Sequence, residues 1–236
     1  MKKSTLFFSQ KTGLTITMAT SLVRLLQLCS QTLPVGAYAY SQAQESAITC
    51  GLVSDQQTAQ AWIEGIFLHS FGCLDLPALV QAYDAAERAD WRRLEEVDEY
   101  LQASRESREL LLEDLEMGRS LKRLLVSMDI AVGDAERPSF STQFACAGVG
   151  WSIGLEELLV GFSYSWLENQ VMVATKSVPL GQSDAHRMLR QLGGFISGAA
   201  RKAMKLSKSD DYGYSLQGLA IISSRHETLE ARLYRS

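Results

Sequence analysis

The chain has 236 residues, of which 46% are hydrophobic and 21% are charged, and its formal net charge is −4. This composition is ordinary for a soluble globular protein, and the length allows one substantial core. The acidic balance argues against nucleic acid as the main partner, and no apolar run approaches the roughly 20 residues of a membrane span.

The first 18 residues differ in character from the rest. Two lysines and a short apolar patch superficially suggest a signal peptide, but the patch is too short and polar residues interrupt the stretch after it. We expect residues 1–18 to be a disordered extension, or residues 1–17 to lie upstream of the native start. One all-helical domain is then expected over residues 19–236. Four cysteines without a C-x-x-C pair favour free thiols in a reducing, cytoplasmic compartment.

Two short helices are predicted at the start of this domain. Residues 20–32 carry Leu22 and Leu26 on an apolar stripe with helical spacing. Residues 41–50 form the second, with Ser41 as the N-cap and Gly51 as the stop signal.

The stretch between these helices reads LPVGAYAYSQAQE and runs from Leu33 to Glu45. Pro34 ends the preceding helix, and Gly36 permits a turn that other residues resist. The tyrosines Tyr38 and Tyr40 alternate ahead of the next helix. They indicate an ordered loop, either as core plugs or as part of a partner surface.

A third and a fourth helix come next in the chain. Ser54 and Gln57 form a capping-box pattern that opens the third helix, and its apolar face includes His69, which favours a core histidine. Pro77 suits the first turn of the fourth helix.

Charged residues then dominate, with 19 of 37 between Glu87 and Arg123. An apolar stripe persists among them, so long helices with one buried and one solvated face are predicted. The segment SRESREL, Ser104 to Leu110, presents either a solvated helix face or a partner surface.

The second half is also expected to be helical. Residues 129–139 form a linker inside one domain, followed by a helix over residues 140–150. A helix beginning at Leu155 is apolar on nearly every face, which is typical of a central helix, and Pro179 ends it. Residues 183–206 are expected to form one further helix.

The C-terminal stretch is predicted to end as a helix. Apolar residues and one histidine step by three and four along it, namely Leu219, Ile222, His226, Leu229 and Leu233. On this seam His226 suits a core position or an interface equally well.

No catalytic motif is found in the sequence. The pair His226-Glu227 is similar to the start of a zincin motif, but Glu230 stands where the second zinc-binding histidine is required. The chain has no P-loop, no G-x-S-x-G elbow and no Gly-rich dinucleotide turn. No catalytic residue, cofactor or metal ligand is therefore predicted.

Four stretches resemble signatures of the UreF family of urease accessory proteins. They are LPVGAYAYSQAQE; SRESREL with the later Gly118; the tyrosine-serine-tryptophan of the central helix with VPLGQ; and SRHETLEARLYRS. The chain departs at Ala43 and Gln44, where the family tends to have Gly-Leu, and at Leu111, where arginine is common. The four matches occur in the family's order from about Leu22 to the end.

The residue patterns and the resemblance together predict an all-α fold, a single-domain compact helical bundle of roughly eight to ten helices. The resemblance implies a homodimeric, non-catalytic maturation chaperone. Such a protein assembles with UreD (UreH in some organisms) and the GTPase UreG on apo-urease, and so enables nickel insertion. In the family UreG carries most of the metal and nucleotide chemistry.

The resemblance also implies partner-binding residues. The tail of family members contributes to the UreD/UreH interface, which assigns this role to Arg225, His226, Glu227, Leu233, Tyr234 and Arg235. Tyr38, Ser41 and Glu45 of the loop, with Lys176 and Gln182, are candidates for the dimer or UreG-facing surface.

Two other functions remain open at this point. In the first, the protein activates or gates the UreG GTPase, with Arg105 or Arg108 placed near the transferring phosphate. A more remote alternative is a helical ligand-binding or enzymatic bundle that is unrelated to the family.

Overall fold

The computed structural model describes residues 20–213 and 215–236, so the expected extension over residues 1–18 lies outside the described residues. The helices are α1 (residues 20–28), α2 (Gln44–Thr49), α3 (Gln56–Ile66), α4 (Asp75–Glu87), α5 (Trp91–Ser104), α6 (Arg108–Ser127), α7 (Phe140–Gly150), α8 (Leu155–Ser177), α9 (Gln182–Gly193), α10 (Ile196–Leu206) and α11 (Gln217–His226). Within the described residues there is no β-strand, and the all-α prediction is confirmed.

Helices α4, α7 and α8 form the centre of the bundle. Among the described helices, α4 and α7 share the most extensive contact, with α5 and α10 packed on α4 and α6 packed on α7. Helix α8 contacts α2, α3, α4, α7, α9 and α10. Neighbours on so many sides explain why its sequence is apolar on nearly every face.

The N-terminus of α7 lies in the interior and is capped by carboxylates from other helices. Asp98 of α5 accepts hydrogen bonds from the backbone N–H of Ser139 (2.7 Å) and the hydroxyl of Thr142 (2.6 Å). Asp114 of α6 accepts one from the backbone N–H of Phe140 (2.8 Å). These bonds satisfy backbone donors that a helix end leaves unpaired, so they fix α5 and α6 against α7.

Arg105, just after α5, pairs with Asp114 and with a further carboxylate, Asp75 of α4. Its guanidinium lies 2.7 Å from Asp75 Oδ1 and 3.0 Å from Asp114 Oδ2, and only 14% of its side chain is exposed. Burial alone would lower the pKa of Arg105, but Asp114 and Asp75 raise it above its ordinary value. The arginine therefore stays charged and joins α4 to α6.

Helix α6 also touches the backbone of the 129–139 linker directly. A Cβ atom at Gly118 would overlap the carbonyl oxygen of Pro138 and lie 2.8 Å from the carbonyl carbon of Ser139. A side chain at this position would force the linker away from α6, and with it the start of α7.

The prediction that His69 is a core residue is wrong, because its side chain is exposed. Helix α3 continues into a π-helical segment, Phe67–Phe71, before α4 begins. A π-turn contains more residues than an α-turn and so rotates the side chains that come after it. Phe67 and Phe71 take the buried positions, and His69 is turned outwards.

Several predicted helix limits need correction. Helix α2 begins at Gln44 rather than at Ser41, since Gln42 and Ala43 have positive φ angles of 51° and 67°. The capping box of α3 uses Asp55 and Thr58 instead of Ser54 and Gln57. A single helix over residues 183–206 is also wrong, because the chain turns at Gly194 between α9 and α10.

The apolar stripe predicted for α1 is only partly correct. Leu28 is buried and Leu25 packs against the core, whereas Leu22 and Leu26 are 55% and 63% exposed. Helix α1 therefore contacts the bundle with a narrow face near Gly161 of α8, where the Leu25 side chain leaves no space for a Cβ atom.

Among the described helices, no single one is long and apolar enough to cross a bilayer. One bent pair, Gln56–Phe71 with Asp75–Glu87 at 41°, meets the length and composition criteria.

All four cysteines are free thiols. Burial, with a smaller contribution from Glu168, raises the pKa of Cys29 to about 12, and burial, reinforced by Asp98, raises the pKa of Cys146 to about 12. These two thiols therefore carry little of the reactive thiolate at neutral pH. Cys50 is exposed.

Candidate functional site

The loop between α1 and α2 has a fixed shape. Gly36 has a φ of 76° and precedes a 3₁₀ turn, Ala37–Ala39. Ala43 is fully buried at a φ of 67°, a conformation that costs a residue with a Cβ atom about 1–2 kcal/mol. This is the position at which the UreF signature has glycine. The chain keeps the left-handed turn even without the residue best suited to it.

Arg235 and Ser236 lie against this loop. Helix α11 ends at His226, and residues 227–236, which we call the tail, fold back without regular structure. The backbone N–H of Arg235 donates to the carbonyl oxygen of Ala39 (2.8 Å), and the N–H of Ser41 donates to that of Ser236 (2.9 Å). The Ser41 hydroxyl donates to the same oxygen.

The prediction that the terminal helix continues to Leu233 is therefore wrong. Glu45 binds the backbone N–H groups of the tail: its Oε1 accepts from Leu233 (2.7 Å) and its Oε2 from Tyr234 (3.1 Å). A carboxylate that takes these donors replaces the helical hydrogen bonds they would otherwise make. As a result Tyr234 turns inwards and Leu233 is 78% exposed.

His226 lies at the root of the tail between two carboxylates. Its Nδ1 is 2.6 Å from Glu109 Oε2, its Nε2 is 2.9 Å from Glu45 Oε2, and its side chain has no exposed surface. Arg232 Nη1 contacts the other oxygen of Glu109 at 3.1 Å. We call Glu45, Glu109, His226 and Arg232 the His226 cluster. It joins α2, α6, α11 and the tail.

Glu113, one turn after Glu109 on α6, is a second anchor for the tail. Its carboxylate accepts from the Ser236 hydroxyl (2.6 Å) and from the amide of Gln42 (2.7 Å), whose oxygen accepts from the indole of Trp166 (2.7 Å). Burial raises the pKa of Glu113 to about 7, against the opposing effect of the two hydrogen bonds it accepts.

This raised pKa predicts a pH-dependent stability. The folded protein holds the proton of Glu113 more tightly than the unfolded chain, so the stability from this group is present at low pH and lost as pH rises towards 7. We expect wild type to lose about 2 kcal/mol more than Glu113→Gln between pH 5 and pH 8. Urea unfolding at both pH values measures this difference, and equal losses in the two proteins would contradict it.

Two concave features are lined in part by the loop between α1 and α2. A cavity of about 120 Å³ lies beneath the loop, between aromatic residues of the core and the carboxylates of Asp75, Glu113 and Asp114. A shallow cleft of about 390 Å³ lies on the outside, between the loop, Glu116 and Ser120 of α6, and Arg235. Tyr38, at this cleft, is 67% exposed.

The structure brings most of the predicted partner-binding residues into this one region. His226, Glu45, Ser41 and Tyr234 are buried and hold it together, whereas Tyr38, Leu233 and Arg235 are exposed around it. The other exposed candidates are Arg225, whose guanidinium approaches Cys50 Sγ at 3.7 Å, Glu227, Arg108, Lys176 and Gln182. Lys176 is near the end of α8, and Gln182 begins α9.

Arg105 is placed differently from Arg108. The guanidinium of Arg105 is held by Asp75 and Asp114 in the interior, while Arg108 is exposed on the first turn of α6. The idea of an arginine that enters the active site of a GTPase stays a prediction, and the exposed Arg108 is its better candidate.

Sequence reasoning missed five members of the site, namely Gln42, Glu109, Glu113, Arg232 and Ser236. Glu109 and Arg232 belong to the matched signatures, which was the available signal. Gln42 also lies in a signature, but nothing in the sequence showed that its amide would join a carboxylate to an indole.

Comparison with known proteins decides the family. The model of the UreF family matches residues 53–193, which is more than half of the chain. The chain belongs to the UreF family. Proteins named urease accessory protein UreF include one from Teredinibacter turnerae, 44% identical over 222 residues, covering 93% of this chain and 100% of that protein.

Two further UreF proteins support the same assignment. The one from Chromohalobacter salexigens is 38% identical, covering 92% of this chain and 95% of that protein. The one from Pseudomonas putida is 40% identical, covering 92% and 98%. Membership of the UreF family excludes an unrelated ligand-binding bundle. Within the described residues, no group of three or more His, Cys, Asp and Glu side chains is arranged to hold a metal ion.

Proposed function

We propose that this UreF-family protein is a non-catalytic scaffold for urease maturation. It binds UreD (or UreH) and the GTPase UreG, assembles with them on apo-urease in the cytoplasm, and so enables nickel insertion into the urease active site. The working form is a homodimer. Its relatives are named urease accessory proteins, which supports the general role, and the finer assignments are ours.

The observation that carries the proposal is the convergence of three separate signatures at one site. The Leu33–Glu45 loop, the start of α6 and the tail meet at the His226 cluster, although Glu45 and His226 are 181 residues apart in sequence. The buried members hold the three segments together. The outer surface they create is therefore composite, and it exists only while the tail is docked.

The exposed rim of this region has the composition of a protein-binding surface. Tyr38 and Leu233 present large apolar side chains to solvent, and Arg235 lines the cleft beside Tyr38. Tyrosine and arginine are enriched among residues that dominate binding energy at interfaces. We assign this surface to the UreD/UreH and UreG assembly.

Co-purification tests the assignment. The chain is co-expressed with UreD or UreH and with UreG, as wild type and as a Tyr38→Ala/Leu233→Ala double variant. Both residues are exposed, so the variant should fold normally. We expect partner capture to fall at least about tenfold. This fall corresponds to a loss of about 1.4 kcal/mol or more of binding free energy from the two residues together.

Val126→Ala is the matched control. Val126 is also an exposed apolar residue, at 55%, but it lies 13 residues beyond Glu113 on α6, about 20 Å along the helix. Capture by this variant should equal that of wild type. Unchanged capture by the double variant would show that the interface lies elsewhere. If folded wild type captured no partner, this result would contradict the proposed function.

A further inference from the structure

Cys73 is a buried nucleophile that the proposed function does not use. It lies between the π-helical segment and α4, and 1% of its surface is exposed. Its thiol donates to the carbonyl oxygen of Leu68 at 3.3 Å. This oxygen is available because the backbone N–H of Gly72 donates to Phe67 (2.8 Å), one residue further back than in an α-helix. The π turn therefore fixes the direction of the S–H bond.

Lys202 of α10 brings a primary amine to the same sulfur atom. Its Nζ donates to Cys73 Sγ at 3.1 Å, although the two residues are 129 positions apart in sequence. Because the S–H hydrogen is directed to Leu68, the lone pairs of the sulfur are left to face the amine. Within the described residues, Cys73 is the cysteine whose sulfur accepts a hydrogen bond from a lysine.

The packing of α10 on α4 holds this contact in place. A Cβ atom at Gly72 would lie 3.8 Å from that of Ala199, which is buried on the inner face of α10. Lys202 is exposed and Cys73 is not, so the lysine lies on the solvent side of the sulfur. Exposed side chains change rotamer within picoseconds to nanoseconds, and such a change opens the sulfur to a small solute.

The separation of sulfur and nitrogen suits a reaction between them. Reacting atoms in near-attack arrangements are about 3–3.5 Å apart, and Cys73 Sγ and Lys202 Nζ are 3.1 Å apart. A thiol and an amine do not combine until the sulfur is oxidised to an electrophile. We propose that hydrogen peroxide converts this contact into a reversible covalent crosslink, a sulfenamide between Cys73 and Lys202.

The reaction uses one molecule of hydrogen peroxide for each crosslink. In the first step Cys73 Sγ attacks a peroxide oxygen: the O–O bond breaks, an S–O bond forms, and the other oxygen leaves with the thiol proton as water. The sulfur loses two electrons and the peroxide gains them. In the second step the unprotonated Nζ of Lys202 attacks the sulfenic acid. An S–N bond forms, and the hydroxyl group leaves with one amine proton as a second water, as in the known condensation with a backbone nitrogen.

The crosslink joins the chain just before α4 to α10. It closes a loop across 129 sequence positions, and such a loop removes much conformational entropy from the unfolded chain. We therefore expect the oxidised protein to have a Tm higher by roughly 10 °C. A thiol reductant cleaves the S–N bond and restores both side chains. The crosslink is independent of the proposed function and is measured on the chain alone.

Peptide mapping by mass spectrometry tests the crosslink on the full chain after treatment with hydrogen peroxide. In wild type we expect a joined pair of peptides, containing Cys73 and Lys202, with the mass of both peptides less two hydrogen atoms. Dithiothreitol should remove this species and reverse the rise in Tm.

Lys202→Arg is the matched variant. Arginine keeps a positive hydrogen-bond donor beside the sulfur, but its guanidinium stays protonated and does not act as a nucleophile. We expect the crosslink to fall at least about tenfold and Tm to stay unchanged by peroxide, while dimedone traps the sulfenic acid of Cys73. Lys205→Arg changes another exposed lysine of α10 and should crosslink as wild type does.

Three results would overturn the inference. Cys73 that stays reduced in wild type would show that peroxide does not reach the sulfur. Oxygen added to Cys73 without a joined peptide would show that the amine does not attack it. Equal amounts of crosslink in wild type and Lys202→Arg would show that another nucleophile is the partner of Cys73.

Discussion

Replacement of Arg105 by alanine is expected to destabilise the fold by about 3–5 kcal/mol, the range for breaking a buried ion pair. The change leaves Asp75 and Asp114 facing each other in the interior without their shared cation. Asp114 also caps α7, so the unpaired charge acts on a junction of several helices. Urea unfolding at pH 7 measures the loss, which is a large share of the 5–15 kcal/mol typical of a domain.

Arg108→Ala is the control for this experiment. Arg108 is three residues away and exposed, so its removal should change the free energy of unfolding by less than about 0.5 kcal/mol. A loss below 1 kcal/mol for Arg105→Ala would show that water reaches the two aspartates. The comparison also matters for GTPase assays, because a defect of an Arg105 variant would reflect unfolding rather than a missing catalytic arginine.

Gly118→Ala is expected to cost about 3 kcal/mol or more, at the upper end for overpacking. The new Cβ atom would meet the backbone of Pro138 and Ser139 rather than the movable end of a side chain. The backbone cannot yield without pulling Ser139 from Asp98, which caps α7. Thermal and urea unfolding should both show the loss, and a crystal structure would show the linker displaced from α6.

Gly65→Ala gives the opposite expectation. Gly65 lies inside α3 with no atom within 4 Å of the position of a Cβ atom. Alanine there should stabilise the protein by about 0.5–1 kcal/mol, because glycine loses more chain entropy in a helix. If both glycine variants proved neutral, the contact between α6 and the linker would be looser than the structure shows.

Helical periodicity predicted the fold class and most of the helices, because apolar spacing reports which face of a helix is buried. It did not predict a change of register within an apolar run. His69 illustrates this limit: the residues before and after it fit one α-helical stripe, and the π segment that turns it outwards has no sequence signature. The turn at Gly194 was missed for a related reason, since glycine inside an amphipathic pattern is compatible with a continuous helix.

The site could be predicted only in part. The signatures named the loop and the tail, but they did not show that Glu45 binds backbone N–H groups of residues 188 and 189 positions away. Periodicity placed Leu233 on the same helical seam as His226, because a pattern of threes and fours cannot reveal that the helix ends at His226. The charge pattern of α6 also suggests that Glu109 and Glu113 are solvated, whereas both carboxylates are buried. Their role depends on contacts between segments distant in sequence.

The separation of these contacting segments also determines when the site forms during folding. Ser41 and Ser236 are 195 residues apart, so their contact closes a very long loop and gains nothing until the helices between them have assembled. Tail docking should therefore occur after the folding transition state, and substitutions in the tail should have φ-values near zero. Such substitutions would accelerate unfolding and leave the folding rate of the bundle almost unchanged. The bundle can thus reach its native packing first, and the proposed partner surface is completed last.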